Sequence, residues 1–316
     1  MVTHPGIEDN VLAWLREQGA PAPELTPLPG GANNQAFRVD SEHGPFLLKR
    51  YFRHPRDPRD RLAAEFAFLE HLWNCEVRKT AKPLAQNADL GLGLYSFIEG
   101  RPATQKDVNQ AHAEEALSFA LAINRTGQPA TLGDASEACF TLAAHVACVD
   151  RRVQALDAIE GAARVFIQEE LAPAWQTVRS QIPERSAALP RCLSPSDFGF
   201  HNAIISEGGE IVFIDFEYAG WDDPAKLICD FFSQPRLPVP FDTRPAFIAG
   251  LRVICEDEKL ADRVRMLWPL YRIKWICIIL NSLLPLGKAR RDFAGRDDDA
   301  QVEKARGMLT QIEWKE

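Results

Sequence analysis

Within SPSDFGFHNAIISEGGEIVFIDFEYAG, Asp197 is followed five residues later by Asn202 and, a hairpin later, by Asp215. Phosphoryl transfer from a nucleotide needs such groups. A carboxylate must orient the attacking hydroxyl and accept its proton, and hard oxygen ligands must hold magnesium against the phosphates. Both sets must be rigidly placed. A tight loop carrying Asp197 and Asn202, beside a strand ending at Asp215, supplies all of them. Asp197 then reads as the base, with Asn202 and Asp215 as magnesium ligands through oxygen.

The elements that must position these groups can be read from periodicity. Asn202 to Ser206 and Glu210 to Phe216 read as two strands joined by the Glu-Gly-Gly turn at 207–209. Upstream, Val11 to Gln18 reads as a short helix, and Gly19 to Pro29 as a Pro-rich connection. Phe37 to Tyr51 reads as a hairpin that turns at His43-Gly44-Pro45 behind a glycine-rich entry. Leu62, Phe66, Leu69 and Leu72 recur at helical spacing between Arg61 and Trp73. Leu90 to Ile98 reads as a strand that breaks at Glu99-Gly100-Arg101-Pro102. The rest of the chain is mainly helical, including Ala111 to Ile123, Gly161 to Gln181 with a break at Pro173, and the region from Pro245 onward. The outline is an α+β chain with a strand-rich lobe over 1–95, a hinge over 96–100 and a larger, mainly helical lobe over 101–316.

At Asp197, Asn202 and Ile214-Asp215-Phe216-Glu217 the sequence resembles the aminoglycoside phosphotransferase and choline kinase superfamily. Its loop pattern is H-G-D-x-x-x-x-N, followed by a strand ending I-D-[FW]-[DE]. This chain departs from the pattern with Pro195-Ser196 for His-Gly, Gly199 for the next His, and Leu227 for a later Asp. The resemblance implies a bilobal protein-kinase-like fold: an N-terminal antiparallel sheet with one helix, then a larger helical lobe. It implies ATP and magnesium as cofactors. It also implies that Gly30, Gly31 and Asn34 form the nucleotide loop, that Lys49 neutralises the α- and β-phosphates, and that Glu65 pairs with that lysine. Tyr95 to Gly100 resembles the linker that meets adenine, with the Ser96 carbonyl and the Ile98 amide as the contacts.

Composition bounds the partners. The 316 residues carry 44 acidic against 36 basic side chains, a formal charge of -8, which disfavours nucleic acid or anionic lipid as the main partner. The basic run at Arg50, Arg53, Arg56, Arg59 and Arg61 reads as a solvated loop. Seven cysteines at irregular spacing, with no C-x-x-C pair, indicate neither a disulfide framework nor a zinc site. With no signal-peptide pattern in MVTHPGIEDN, a reducing cytoplasm is the expected compartment. Trp275 to Leu280 is too short to span a bilayer and reads as a buried helix segment.

Several residues bear on the acceptor. Glu217, two beyond Asp215, would share its face on a strand and could support a metal or touch substrate. Trp221, Asp222 and Asp223 either line an acceptor pocket or make a capped turn before Pro224. Trp268, Arg272 and Trp275 lie on one helix face, either a cation-recognising aromatic stripe or core. His201 reads as a packing residue. The expected acceptor is a small alcohol: an amino alcohol such as choline or ethanolamine, or a sugar. An aminoglycoside is the alternative, for which acidic Glu217, Asp222, Asp223 and Asp230 would suit the amines. A nucleotide-binding pseudokinase acting through partners is the rival from another class, suggested by Pro195-Ser196 alone.

Overall fold

The structure, a computed structural model, describes residues 9–29, 34–55, 57–127, 129–184, 187–284 and 299–314. The chain forms two compact units. The first comprises Met1–Thr104, Arg125–Ser136 and Phe200–Gly220; the second comprises Gln105–Asn124, Glu137–Gly199 and Trp221–Glu316.

In the first unit β1 (Glu24–Pro27), β2 (Asn34–Asp40), β3 (Phe46–Tyr51), β4 (Pro83–Asn87) and β5 (Leu92–Ser96) form one antiparallel sheet in the order β1-β2-β3-β5-β4. The expected hairpin is β2 with β3, paired from Asn34 opposite Tyr51 to Val39 opposite Phe46. The Pro-rich connection hides β1, an edge strand that can end on Pro27 because an edge bonds on one side only.

Alternation along β3 and β5 gives the sheet two different faces. Leu48 and Leu94 lie opposite each other and join Val11, Trp14 and Leu15 of α1 (Asp9–Glu17) in a core with Leu25, Val39 and Leu92. The intervening positions, Lys49 and Tyr51 on β3 with Gly93 and Tyr95 on β5, face α2 (Arg61–Asn74). Asp60 caps α2 by accepting the Ala63 amide, and Leu62, Phe66, Leu69 and Leu72 form its buried stripe. Glu65 lies on that stripe, so the helix carries a carboxylate into the interior.

A second antiparallel sheet of this unit joins β6 (Gly100–Pro102), β8 (Ala203–Ser206) and β9 (Ile211–Phe213) in the order β6-β8-β9. The expected turn closes β8 onto β9, with the Gly209 amide on the Ser206 carbonyl at 2.9 Å. The expected extent of β9 is corrected. The strand stops at Phe213 rather than Phe216, because Asp215 turns into the left-handed region at φ 68°. Glu217 therefore does not share a strand face with Asp215.

The second unit is built on α3 (Gln110–Asn124), α4 (Leu142–Ala155), α5 (Ala162–Phe166), α6 (Ala172–Ser180), α7 (Pro224–Ser233), α8 (Arg244–Ile254), α9 (Leu260–Leu280) and α10 (Asp299–Leu309). The break expected at Pro173 is a π-helical turn, Ile167–Leu171, lying just ahead of it. Proline lacks the amide that would continue a regular helix, and the widened turn accommodates the missing bond. Phe231 stacks between Phe198 and Phe247 at 4.9 and 4.8 Å, a centre of the apolar interior. β7 (Cys192–Ser194) pairs with β10 (Gly220–Asp222). Among the described residues no helix is long and apolar enough to cross a membrane, and none of the seven cysteines is in a disulfide.

Candidate active site

In the first unit, Lys49 joins two carboxylates that are far apart in sequence. Its ammonium donates to Glu65 Oε1 at 2.8 Å and Oε2 at 2.9 Å, and to Asp215 Oδ1 at 2.9 Å. Lys49 and Glu65 are buried, whereas the Asp215 side chain is 31% exposed. Burial works against the Lys49 charge, but Asp215 and then Glu65 outweigh it and raise its pKa. Burial likewise pushes Glu65 above the usual carboxylate range, with Lys49 opposing. Glu65 has a further task, since its Oε1 accepts the Phe216 amide at 3.2 Å. The same carboxylate that fixes the lysine thus holds the backbone next to Asp215.

The base of the β8–β9 hairpin sets the other oxygen donor. The Ile214 amide donates to the Asn202 carbonyl at 3.0 Å, so Asn202 immediately before β8 and Asp215 just after β9 stand at the same end of the hairpin. Magnesium is bound by few protein oxygens together with water and phosphate, rather than by an all-protein cage. A half-buried amide and a partly exposed carboxylate fit that demand. Among the described residues there is no group of three or more His, Cys, Asp or Glu that could hold a metal ion by itself.

Asn34, at the start of β2, donates to Glu217 Oε2 at 3.2 Å, and Arg61 Nε lies 3.9 Å from Glu217 Oε1. The basic run is therefore not uniformly solvated, as its sequence suggested. Arg61 is buried, and Asp57 binds both Arg59 and Arg61 at 2.7 Å. Those two arginines hold the Asp57 carboxyl far below its usual range. Ser96 ends β5 and is tied to Lys82 twice: its amide donates to the Lys82 carbonyl and its hydroxyl accepts the Lys82 amide, both at 2.8 Å. Neither bond uses the Ser96 carbonyl. Ile98 follows, half-buried, outside the strand. Gly30, Gly31 and Arg56 lie outside the described residues.

Asp197 belongs to the second unit, on a tight turn after β7. The Asp197 amide donates to the Pro195 carbonyl at 2.9 Å across Ser196, whose φ is 67°. That is a γ-turn with a non-glycine residue at its strained centre. The Ser196 amide is anchored on the buried Ser194 hydroxyl at 3.0 Å. The glycine that the family pattern places at 196 thus has a backbone reason, which serine meets at a cost.

The acidic residues after Glu217 are structural. Asp223 is the N-cap of α7, accepting the Ala225 amide, with Pro224 at the first helical position. It also takes Arg263 at 2.7 Å and His145 at 3.1 Å, and Tyr271 meets the other nitrogen of that ring. Asp222 is fully buried. One of its oxygens accepts the Cys139 and Asp223 amides and the other pairs with Lys226. Asp230 takes Lys274 at 2.8 Å and the Trp275 indole at 2.9 Å. Asp222 thus ends β10 with both oxygens taken by the chain's own groups, and the cap before Pro224 is Asp223. Trp221 is buried with the Arg191 guanidinium 5.5 Å from its ring. Trp268 packs edge-on against Phe241 and Trp314, and Arg244 and Arg272 lie over it at 4.9 and 5.8 Å. The aromatic stripe is filled by the chain's own arginines and reads as core. Burial lowers the Arg272 guanidinium to about 10.

Sequence reasoning passed over two tyrosines. Tyr51 donates to Glu65 Oε2 at 2.5 Å, and its oxygen lies 2.8 Å from the Tyr95 hydroxyl. The available signal was spacing, since Tyr51 stands two residues beyond Lys49 and so on the same strand face.

A family model described as the phosphotransferase enzyme family (APH) matches residues 24–253. Among solved structures, the streptomycin–ATP ternary complex of APH(2")-IIa aligns with a TM-score of 0.62 at 15% identity, over 99% of this chain and 98% of that one. The choline kinase LicA from Streptococcus pneumoniae aligns with a TM-score of 0.61 at 14% identity, over 96% and 99%. Spectinomycin phosphotransferase APH(9)-Ia, in complex with ADP and spectinomycin, gives 0.61 at 13% identity, over 98% and 95%. No curated protein sequence matches the chain. At these identities the structural likeness is one of fold, the bilobal protein-kinase-like α+β architecture.

Proposed function

This chain belongs to the phosphotransferase enzyme family, and on that premise we propose that it is an ATP- and magnesium-dependent small-molecule kinase that moves the γ-phosphate to a hydroxyl. The observation that carries the reading is Lys49 held between Glu65 and Asp215. A lysine so fixed presents a rigid positive charge to phosphate oxygens, and catalysis of this class rests on positioning and charge.

Asp197 orients the acceptor hydroxyl and takes its proton. Asn202 and Asp215 hold magnesium through oxygen; bound there, the ion would neutralise charge on the phosphates. Lys49, kept in place by Glu65, contacts the triphosphate, while the loop with Gly30, Gly31 and Asn34 approaches it through backbone amides. Adenine meets the chain at the Ser96 carbonyl and the Ile98 amide. Glu217, bonded to Asn34, is a candidate acceptor or metal-supporting contact.

The acceptors to screen first are amino alcohols such as choline and ethanolamine, then sugars, then aminoglycosides. Choline kinases and aminoglycoside enzymes among the similar folds support that choice. Two features that would suit cationic acceptors carry less weight. Asp222, Asp223 and Asp230 already bind the chain's own cations, and the aromatic stripe at Trp268 holds Arg244.

Thermal unfolding with ATP and magnesium tests the reading. A ligand of the native state must raise the midpoint by mass action. The expected result is a magnesium-dependent rise that Asp215→Ala abolishes. Asp197→Asn should retain the rise yet transfer no phosphate to any acceptor that the wild type uses. No rise at millimolar nucleotide would overturn the assignment.

A further inference from the structure

Glu65 is 2% exposed, and each of its oxygens is engaged twice. Oε1 accepts from Lys49 and from the Phe216 amide; Oε2 accepts from Lys49 and from the Tyr51 hydroxyl. Tyr51 has one hydroxyl hydrogen, and the carboxylate, which can only accept, claims it. The 2.8 Å contact between the two phenols must then have Tyr95 as donor. The order is fixed: Tyr95 donates to Tyr51, and Tyr51 donates to Glu65. Burial raises both phenols above their usual value, so both remain neutral donors.

The sheet makes room for this arrangement with a glycine. Gly93 lies directly opposite Lys49, and a Cβ there would stand 2.5 Å from the Tyr95 hydroxyl. The Tyr95 ring folds back along its own strand over that gap. Lys49, Tyr51, Gly93 and Tyr95 thus form one functional face beneath Glu65, all by the alternation of two paired strands.

We propose that Tyr51 and Tyr95 are positioning residues, a two-hydroxyl relay that fixes the Glu65 carboxylate and through it both the Lys49 ammonium and the turn at Asp215. Hydrogen bonds in series within a low-dielectric interior strengthen one another. Without the relay, Glu65 keeps Lys49 but gains rotamers, and the fraction of molecules with lysine ready for phosphate falls. Apparent nucleotide affinity falls in the same proportion. The inference rests on the nucleotide role proposed above for Lys49.

The test is ATP binding in magnesium chloride, by calorimetry on the full chain, for Tyr51→Phe, Tyr95→Phe, the double variant and Gly93→Ala. Phenylalanine retains the rings and their packing, so hydroxyl effects are isolated. Losing a hydrogen bond to a charged group should weaken ATP affinity about tenfold in Tyr51→Phe. Tyr95→Phe should show a smaller loss, because Tyr95 acts through its neighbour, and Gly93→Ala should reproduce it. The double variant should be no weaker than Tyr51→Phe alone, since residues in one chain do not add. Additive losses, or unchanged affinity in Tyr51→Phe, would overturn the relay. A second readout needs no nucleotide: the Lys49 Cε signal in 13C-lysine-labelled protein, identified by its absence in Lys49→Met, should move in Tyr51→Phe. Movement of that signal in a protein that binds no ATP would uphold the relay and sink the nucleotide reading. ATP binding with neither change in Tyr51→Phe would do the reverse.

Discussion

The turn before Asp197 makes a prediction with opposite signs two residues apart. Ser196 has φ 67°, a conformation that costs a residue bearing a Cβ about 1–2 kcal/mol. Glycine removes that cost but gives the unfolded chain more freedom, worth about 0.5–1 kcal/mol. Ser196→Gly should therefore stabilise by about 0.5–1 kcal/mol, the difference of the two effects. Ser194→Ala should do the opposite. Its hydroxyl is buried and accepts the Ser196 amide at 3.0 Å, and leaving that amide without its partner costs about 1–2 kcal/mol. The assay is urea unfolding of the full chain followed by tryptophan fluorescence, with phosphate transfer measured on the same samples. Ser196→Gly should keep its activity, because the family pattern carries glycine there. Ser194→Ala should lose both stability and rate, because the strained turn that presents Asp197 loosens. In the glycine background the Ser194→Ala loss should shrink, since an unstrained turn needs less anchoring. Destabilisation by Ser196→Gly, or full stability in Ser194→Ala, would show that Asp197 is not held by this turn.

Other substitutions probe the remaining supports. Lys49→Met leaves Glu65 and Asp215 facing each other without their cation and should cost about 3 kcal/mol or more in urea unfolding, with nucleotide-induced stabilisation lost. Gly220→Ala would put a Cβ 2.5 Å from the Gly133 carbonyl oxygen and 2.6 Å from the Ala135 amide; a lowered thermal midpoint, from a clash of about 1–3 kcal/mol, is the expected result. Asp223→Asn should cost about 3 kcal/mol at pH 7, because Arg263 and His145 lose a buried anion. Burial raises the Asp223 pKa, but its hydrogen bonds to His145 and Arg263 outweigh that and hold it below the ordinary 3.8. Its contribution is thus complete above that value and fades as the pH falls through the lower, folded one, so wild-type and variant stabilities should converge only in strong acid.

What the sequence made legible followed local rules. The β2–β3 hairpin, the α2 stripe and the β8–β9 turn each rest on period or turn chemistry within some twenty residues, and each stands as read. The pairing of Lys49 with Glu65 was implied only by resemblance, and the structure supplies its geometry. Features that depend on distant chain were not legible. Nothing local to Arg61 says that Glu217, far along the chain, stands beside it in the interior. Nothing local to Asp230 says that Lys274, 44 residues further on, will pair with it in the interior. A run of acidic residues looks the same whether it faces water, a ligand or a buried lysine, and only the partner decides. Asp215 illustrates the opposite error. Its flanking residues, Ile214 and Phe216, read as strand, yet the backbone leaves the strand because Asn202 and Glu65 bind the amides on either side of it.

The bonds around Asp215 also explain why the site cannot be assembled piecemeal. Two carboxylates brought together in a poorly solvated interior repel strongly unless a cation lies between them. Lys49 is that cation, at 2.8 Å from Glu65 and 2.9 Å from Asp215. Asp215 needs its left-handed turn to reach the lysine, and the turn needs Glu65 to hold the Phe216 amide. Each of the three residues thus supplies the condition for another. A chain that kept only Lys49 and Glu65 would retain the pair but lose the carboxylate that faces solvent. A chain that kept only Asp215 would have no reason to hold it in a strained conformation. The strain at φ 68° is tolerable because both neighbouring amides are bonded and the side chain is bound, which is how a functional conformation persists against local preference.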